Sequence, residues 1–178
     1  MYLDSIPSGE NLPDDIYVII EIPLNSNSIK YEMDKNSGTL FVDRFLNTSM
    51  LYPCNYGYIN HTLSNDGDPL DSLVIGPSLQ AKSVILCRPI GMLKMIDESG
   101  DDFKIIAVPH SKLTTEYDSF QQIKDLPEVL LRKISHFFTH YKDMERNKWT
   151  KIMGWADVEE SKQEIVISLE RNINLKKK

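Results

Sequence analysis

The sequence predicts an α+β fold, mainly β: a small antiparallel barrel with two main helices toward the C-terminus. Three observations predict it. Through residue 108, short runs rich in Ile, Val, Leu and Tyr are separated by Pro, Gly and Asn/Asp turns. In the last third, apolar residues recur at spacings of three and four. No repeat, low-complexity segment or linker divides the chain, so residues 1–178 read as one domain.

Residues 1–14 are polar and carry Pro7, Gly9 and Pro13, which makes them a lead-in arm. Ile16 to Ile22 is a β-rich run stopped by Pro23, with Ile16, Val18, Ile20 and Ile22 on one face. Glu21 shares the other face with Tyr17 and Ile19, either as an edge residue turned to water or as a functional carboxylate. Lys30 to Asp34 alternates charged and apolar residues, so Lys30 and Glu32 point the same way. Ser37-Gly38 turns the chain into Leu40 to Phe45, where Arg44 sits among apolar residues and needs an anionic partner. Tyr52, Tyr56 and Tyr58 read equally as strand packing or as phenols lining a pocket.

Leu73 to Ile75 is a short strand ending at Gly76-Pro77. Ser83 to Met95 is a longer one, bent at Arg88-Pro89, and an acidic turn joins it to Phe103 to Val108 as a hairpin. From Pro127, the residues Leu130, Ile134, Phe137, Phe138 and Tyr141 mark an amphipathic helix with proline in its first turn. Asp157 and Glu160 form a capping box for a second helix whose inner face is Ile165, Leu169 and Ile173. Residues 174–178, ending in three lysines, form a solvated basic tail.

Composition narrows the function. The 178 residues are 41% hydrophobic, enough for a packed core. A net charge of −6 argues against broad attraction to nucleic acid or anionic lipid. The start of the chain shows no signal peptide, and no apolar run is long enough to span a membrane. Cys54 and Cys87 are too few for a disulfide framework or a zinc site and read as reduced, buried thiols. A cytoplasmic location is the simplest expectation.

The acids are the main signal. Asp66-Gly67-Asp68-Pro69-Leu70-Asp71 places three carboxylates on a tight turn, and Asp97, Glu98, Asp101 and Asp102 form a second cluster. Packed like charges need a cation to balance them, and carboxylate oxygens suit hard divalent ions. Two solvated turns would also account for the spacing. The first cluster is not an EF-hand loop: Leu70 and Asp71 stand where an oxygen ligand and a glycine are required. His136 and His140 lie one helical turn apart, but Phe137 replaces the glutamate of a zinc-protease motif, so a helix surface or subunit contact fits better. No Walker loop, dinucleotide fingerprint or nucleophile elbow is present. Acids in two clusters beside Lys30, Arg44, Lys104 and Lys142 are what phosphoryl transfer requires, because cations and fixed positive side chains offset the charge of the substrate.

With these residues in view, the chain resembles the family I soluble inorganic pyrophosphatases, especially the short bacterial type, over nearly its whole length. The most specific match is Asp66-Gly67-Asp68-Pro69-Leu70-Asp71. The others are Glu21-Ile22-Pro23, Lys30-Tyr31-Glu32, Asp43-Arg44, Tyr52-Pro53-x-Asn55-Tyr56-Gly57, Asp97-Glu98, Asp102-x-Lys104 and His140-Tyr141-Lys142. Ser72 departs from the small apolar or aliphatic residue usual in the family, and a packing change without loss of chemistry is expected.

The resemblance implies hydrolysis of pyrophosphate to two orthophosphates, which draws biosynthetic reactions forward. It implies several Mg²⁺ ions per site, with Mn²⁺ or Zn²⁺ as substitutes, a five-stranded OB-like barrel with flanking helices, and a homohexamer. It also implies that Asp66, Asp71 and Asp102 hold a metal pair around the attacking water, while Asp97 with Asp102 and Glu21 holds metals that arrive with the substrate. Asp68 would be the general base. Lys30, Arg44, Tyr56, Tyr141 and Lys142 would bind the phosphoryl groups, and Tyr56 and Lys104 would orient water, leaving group or acids. Glu32, Tyr52 and Glu98 would support them. The rival readings are a nucleic-acid-binding barrel, a metal-binding scaffold and a phosphatase for organic esters. The first needs a basic groove with stacking aromatics, and the second leaves the lysines, arginine and tyrosines without a task.

Overall fold

The computed structural model describes residues 3–177. In chain order its strands and helices are β1 (Ile16–Ile22), β2 (Ile29–Asp34), β3 (Thr39–Phe45), β4 (Asn55–Ile59), β5 (Asp71–Val74), β6 (Val84–Asp97), β7 (Gly100–Asp101), β8 (Lys104–Pro109), α1 (Glu128–His140), β9 (Thr150–Ala156) and α2 (Val158–Lys176). Short 3-10 turns lie at Leu3–Ser5 and Ile123–Asp125.

Five strands close a ring in the order β1, β4, β5, β8, β6, and β6 pairs back onto β1. The expected antiparallel pairing holds at four joints. The fifth, β5 against β8, is parallel and sets Asp71 opposite Lys104. A barrel of this kind is filled by the inward residue of every strand pair. Ile16, Val18, Ile20, Val74, Cys87, Met92 and Ile105 form one part of that filling. Ile22, Leu73, Leu93 and Ile106 belong to a second cluster that continues into Phe137 and Phe138 of α1.

The long strand β6 turns at Gly91, whose φ of +151° is a region open to glycine. The register shift lies between Pro89 and Gly91, next to the bend expected at Arg88-Pro89. Beyond the bend, β6 pairs with β9. Strand β9 has no counterpart in the sequence reading. Its alternation is broken by Gly154 (φ +130°), and Lys151 and Met153 are exposed, so it carries little of the apolar pattern that marks a strand.

The lead-in arm is stitched to the barrel. Ser8 Oγ donates to the Asn60 carbonyl (2.7 Å), and Asn60 Nδ2 donates to the carbonyls of Leu3 (2.7 Å) and Ile6 (2.8 Å). Leu3 thereby joins Ile19, Met33 and Tyr58 in a small cluster over the outer face of β1. Residues 1 and 2 of the arm and Lys178 of the tail lie outside the described residues.

Helix α1 buries Ile134, Phe137 and Phe138, as its spacing predicts, with Pro127 at the N-cap rather than inside the first turn. Helix α2 has the expected Asp157 N-cap, which accepts from the Glu160 backbone N–H at 2.9 Å, but not the reciprocal half of a capping box, because the Glu160 carboxylate pairs with Lys94 at 2.8 Å. Its seam differs: Ser161, Ile165 and Ser168 are buried, Leu169 is partly buried, and Ile173 is half exposed. The small serines let the helix approach β6 closely, and the helix runs past the barrel before residue 173. The expected tail is also shorter, because α2 continues to Lys176.

Candidate active site

All fifteen residues named above as site candidates line one cavity of about 290 Å³ at the rim of the barrel. Glu21 comes from β1, and Lys30, Glu32 and Arg44 from the β2–β3 hairpin, a separate two-stranded sheet. Tyr52 and Tyr56 come from the run into β4. The 64–71 turn gives Asp66, Asp68 and Asp71, the β6–β8 connection gives Asp97, Glu98, Asp102 and Lys104, and the end of α1 leads to Tyr141 and Lys142.

Local sequence explains the placement. Gly67 has φ +93°, a conformation an L side chain rarely adopts, so the turn can fold back between two aspartates. The Asp68 N–H donates to Asp66 Oδ1 (3.0 Å), and the Ser64 N–H donates to the Asp68 carbonyl (2.7 Å). Leu70, fully buried, anchors the turn and starts the chain into β5. Among the described residues, the Asp68 carboxylate pairs with no cation, and it stands exposed at the cavity edge.

At the floor, Lys104 is 2% exposed. Its Nζ lies 2.7 Å from Asp71 Oδ2 and 2.8 Å from Asp102 Oδ1, above the rings of Tyr56 (5.4 Å) and Phe138 (5.3 Å). Burial opposes the ammonium charge, but Asp102 and Asp71 outweigh it and hold Lys104 well above its ordinary pKa. Tyr56 Oη donates to the same Asp71 oxygen at 2.5 Å. Tyr52 packs between Tyr56 and Phe137 with its ring tilted to both, which fixes the aromatic floor.

A second ammonium closes the other acidic cluster. Lys142 Nζ lies 2.7 Å from Asp97 Oδ2 and 3.4 Å from Glu98 Oε1. Burial raises Asp97 and Glu98, yet their Lys142 and backbone contacts leave both below the usual carboxylate range. On the hairpin, Lys30 pairs with Glu32 at 2.5 Å, and Arg44 lies between Asp43 (Nε to Oδ2, 3.0 Å) and Glu145 (Nη1 to Oε2, 2.9 Å).

Glu21 is buried, which excludes the edge residue turned to water. Desolvation pushes its pKa up to about 8, against one hydrogen bond from the Met33 N–H (2.7 Å), with Asp71 adding repulsion. Partial desolvation also raises Asp66, with Asp102, Asp71 and Asp68 crowding it. Hard oxygens, two of them destabilised as anions, are a donor set suited to divalent cations. Among the described residues no three His, Cys, Asp or Glu side chains already close on one ion position. Lys104 instead stands between Asp71 and Asp102.

Several lining residues were not singled out from sequence. Tyr58 carries no sequence signal apart from its neighbours, and its hydroxyl is buried without a hydrogen-bond partner among the described residues. Asp43 appeared only beside Arg44, and Lys35 and Lys148 gave no signal. Glu145, which holds Arg44 without itself lining the cavity, lies in the polar stretch after Lys142, where no periodicity marks it. The one clue was the need of Arg44 for an anion. His136 and His140 lie outside the cavity, their rings 4.8 Å apart, and His140 Nδ1 meets Asp143 Oδ2 at 2.7 Å.

Ser72, the departure from the family pattern, is fully buried and donates to the Ile105 carbonyl at 3.2 Å. The hydroxyl is satisfied within the barrel wall.

Comparisons agree with the geometry. A family model described as "Inorganic pyrophosphatase" matches residues 18–172. The chain is 61% identical over 175 residues to an inorganic pyrophosphatase of Escherichia coli K12, covering 98% of this chain and 99% of that one. It is 61% identical over 172 residues to one from Salmonella typhimurium, covering 96% and 98%. Among solved structures, one described as an inorganic phosphatase from Anaplasma phagocytophilum superposes with a TM-score of 0.92 at 42% identity, covering 94% of this chain and 99% of that one. An inorganic pyrophosphatase from Coxiella burnetii does so at 0.89 and 49%, covering 93% and 99%.

Proposed function

The chain belongs to the inorganic pyrophosphatase family, and on that premise we propose how its residues divide the work. The protein is an inorganic diphosphatase and hydrolyses pyrophosphate to two orthophosphates. The observation that carries the division is a single cavity facing nine carboxylates and six Lys/Arg residues. Such a mixture fits a small, densely charged anion together with cations, and it fits poorly to the apolar part of an organic ester.

Enzymes of this family depend on metal ions. We assign Mg²⁺ as the ion, several per site, with Mn²⁺ or Zn²⁺ as substitutes. Asp66, Asp71 and Asp102 would hold one group, and Asp97, Asp102 and Glu21 the other. When bound, these ions supply positive charge against the substrate and acidify the attacking water.

The chain's own residues do the rest. Asp68, exposed at the cavity edge and without a cation partner among the described residues, takes the proton of the attacking water. Lys30, Arg44, Tyr141 and Lys142 hold the phosphoryl oxygens and take up the charge that develops on the leaving phosphate. Tyr56 and Lys104 fix Asp71 through the contacts described above. Glu32 positions Lys30, Glu98 positions Lys142, and Tyr52 wedges Tyr56 in place.

We assign the whole of residues 1–178 to this one catalytic unit, acting in the cytoplasm on pyrophosphate with no role in nucleic-acid or membrane binding. No helix among the described residues is long and apolar enough to cross a membrane. Self-assembly to a hexamer is supported by exposed apolar side chains, including Phe45, Met144 and Trp149, and by the outward His136–His140 pair. Light scattering should give about six times the monomer mass, and a monomer would remove that assignment.

The test of the function is phosphate release from pyrophosphate across a Mg²⁺ titration, with ATP and a simple phosphate ester alongside. Rapid, Mg²⁺-dependent release from pyrophosphate alone is expected. Equal release from the ester would favour a broader phosphatase.

A further inference from the structure

The two halves of the phosphate-binding set stand on parts of the fold that share no hydrogen-bonded sheet. Lys30 and Arg44 face each other across the β2–β3 hairpin, which is a sheet of its own. Tyr141 and Lys142 stand on the segment that leaves α1. Two cations directly opposite on a hairpin repel, so Arg44 needs anions to hold it. Asp43, its chain neighbour, lies 3.0 Å from Nε, but Nε forms no aligned hydrogen bond among the described residues. The aligned contact comes from 101 residues away, where Glu145 Oε2 accepts from Nη1 at 2.9 Å.

Glu145 is an odd choice for a purely stabilising partner. Its side chain is 11% exposed, and its second oxygen is buried with no hydrogen-bond donor among the described residues. A buried carboxylate left half satisfied is costly, so its retention calls for another role. Only two residues separate Glu145 from Lys142, and among the described residues its ion pair with Arg44 ties this segment to the hairpin.

We propose that Glu145 is a positioning residue for pyrophosphate. It orients the Arg44 guanidinium through Nη1, leaves the Nη2 side toward substrate, and sets the gap between the Lys30/Arg44 hairpin and the Tyr141/Lys142 segment. This rests on the reading of Arg44 as a phosphate ligand. Removing Glu145 costs substrate affinity more than turnover, because the reacting atoms are untouched and only a binding group is loosened.

The test is steady-state kinetics at saturating Mg²⁺ for wild type, Glu145→Ala, Glu145→Gln, Arg44→Ala and the Arg44→Ala/Glu145→Ala double variant, with thermal melting of each. Glu145→Ala should raise KM about tenfold and change kcat less than about threefold. Glu145→Gln, which keeps an acceptor for Nη1, should recover part of the loss. In the Arg44→Ala background, removing Glu145 should change KM less than about twofold. A wild-type KM in Glu145→Ala, or a full tenfold effect in the double variant, overturns the proposal while leaving Arg44 at the phosphate site. An unchanged KM in Arg44→Ala overturns the phosphate reading of Arg44 itself, and this inference with it. A lowered melting temperature with unchanged KM reduces Glu145 to a structural salt bridge and also overturns it.

Discussion

Asp71 and Lys104 sit side by side across the only parallel joint of the barrel ring, with Nζ 2.7 Å from Oδ2. Backbone register, rather than a flexible loop, sets this distance. It places a buried cation between two carboxylates that would otherwise repel.

Lys104→Met should show what that cation does. With EDTA, the variant should lose about 3–5 kcal/mol of stability, because Asp71 and Asp102 are left facing each other without the cation between them. Added Mg²⁺ should restore part of that loss by binding the same acids. Urea unfolding with and without Mg²⁺ measures both, and equal loss in the two conditions would separate Lys104 from the metal-binding acids.

Asp68→Asn removes the base while leaving a side chain of the same shape. Turnover should fall by about 10²–10⁴-fold, while Mg²⁺ affinity measured by calorimetry stays within about threefold. A collapse of metal affinity would make Asp68 a ligand and move the base elsewhere.

Tyr56→Phe deletes one hydroxyl, the donor to Asp71 at 2.5 Å. Hydrogen bonds to charged groups contribute about 1.5–3 kcal/mol to stability, so the melting temperature should fall, and kcat/KM should fall about ten- to hundredfold as Asp71 loses the donor that fixes it. Unchanged kinetics would leave the phenol as packing.

Gly91→Ala tests the bend in β6. The added Cβ would stand 2.3 Å from Ile123 Cγ1 and 2.7 Å from the Ala156 carbonyl oxygen, at a φ of +151°. Strain and overpacking together should cost about 2–4 kcal/mol. The midpoint of denaturant unfolding should shift accordingly, with activity per folded molecule retained.

The cysteines give a pH prediction. Burial pushes the Cys54 thiol up to about 12 and raises Cys87 as well, from an ordinary 9. The unfolded chain therefore loses these protons first, so their contribution to stability is full below pH 9 and is lost as pH rises beyond it. Cys54→Ala should flatten the fall in stability between pH 9 and 11. The native protein should not react with a thiol reagent at pH 8, and two thiols should appear on unfolding.

What could be read from the sequence follows from how physics writes itself into local pattern. The barrel strands and both helices carry apolar periodicity, so their existence was legible, and so was the need of Arg44 for an anion. The acids stood out because like charges rarely cluster without a reason. Strand β9 was silent because Gly154 and exposed Met153 break its alternation. Ile173 was assigned inward by spacing, yet spacing cannot say where the barrel ends beneath the helix. Glu145 was silent because its meaning lies entirely in a partner on another part of the chain. Composition and spacing leave Glu21 and the tyrosines with two readings each, and the family resemblance chooses between them.

The ring closes where β1 meets β6, joining residues 16–19 to 84–87. Before that closure, Glu21 and the acids of the β6 turn belong to strands with no fixed relation, so no part of the chain made earlier can assemble the cavity. Contacts this distant in sequence form slowly, because a long loop must be ordered before they repay it. Synthesis therefore has to run well past β6 and on through Lys142 before a working enzyme exists. Enzymatic activity becomes a late marker of folding, and its return after dilution from denaturant should trail the return of secondary structure.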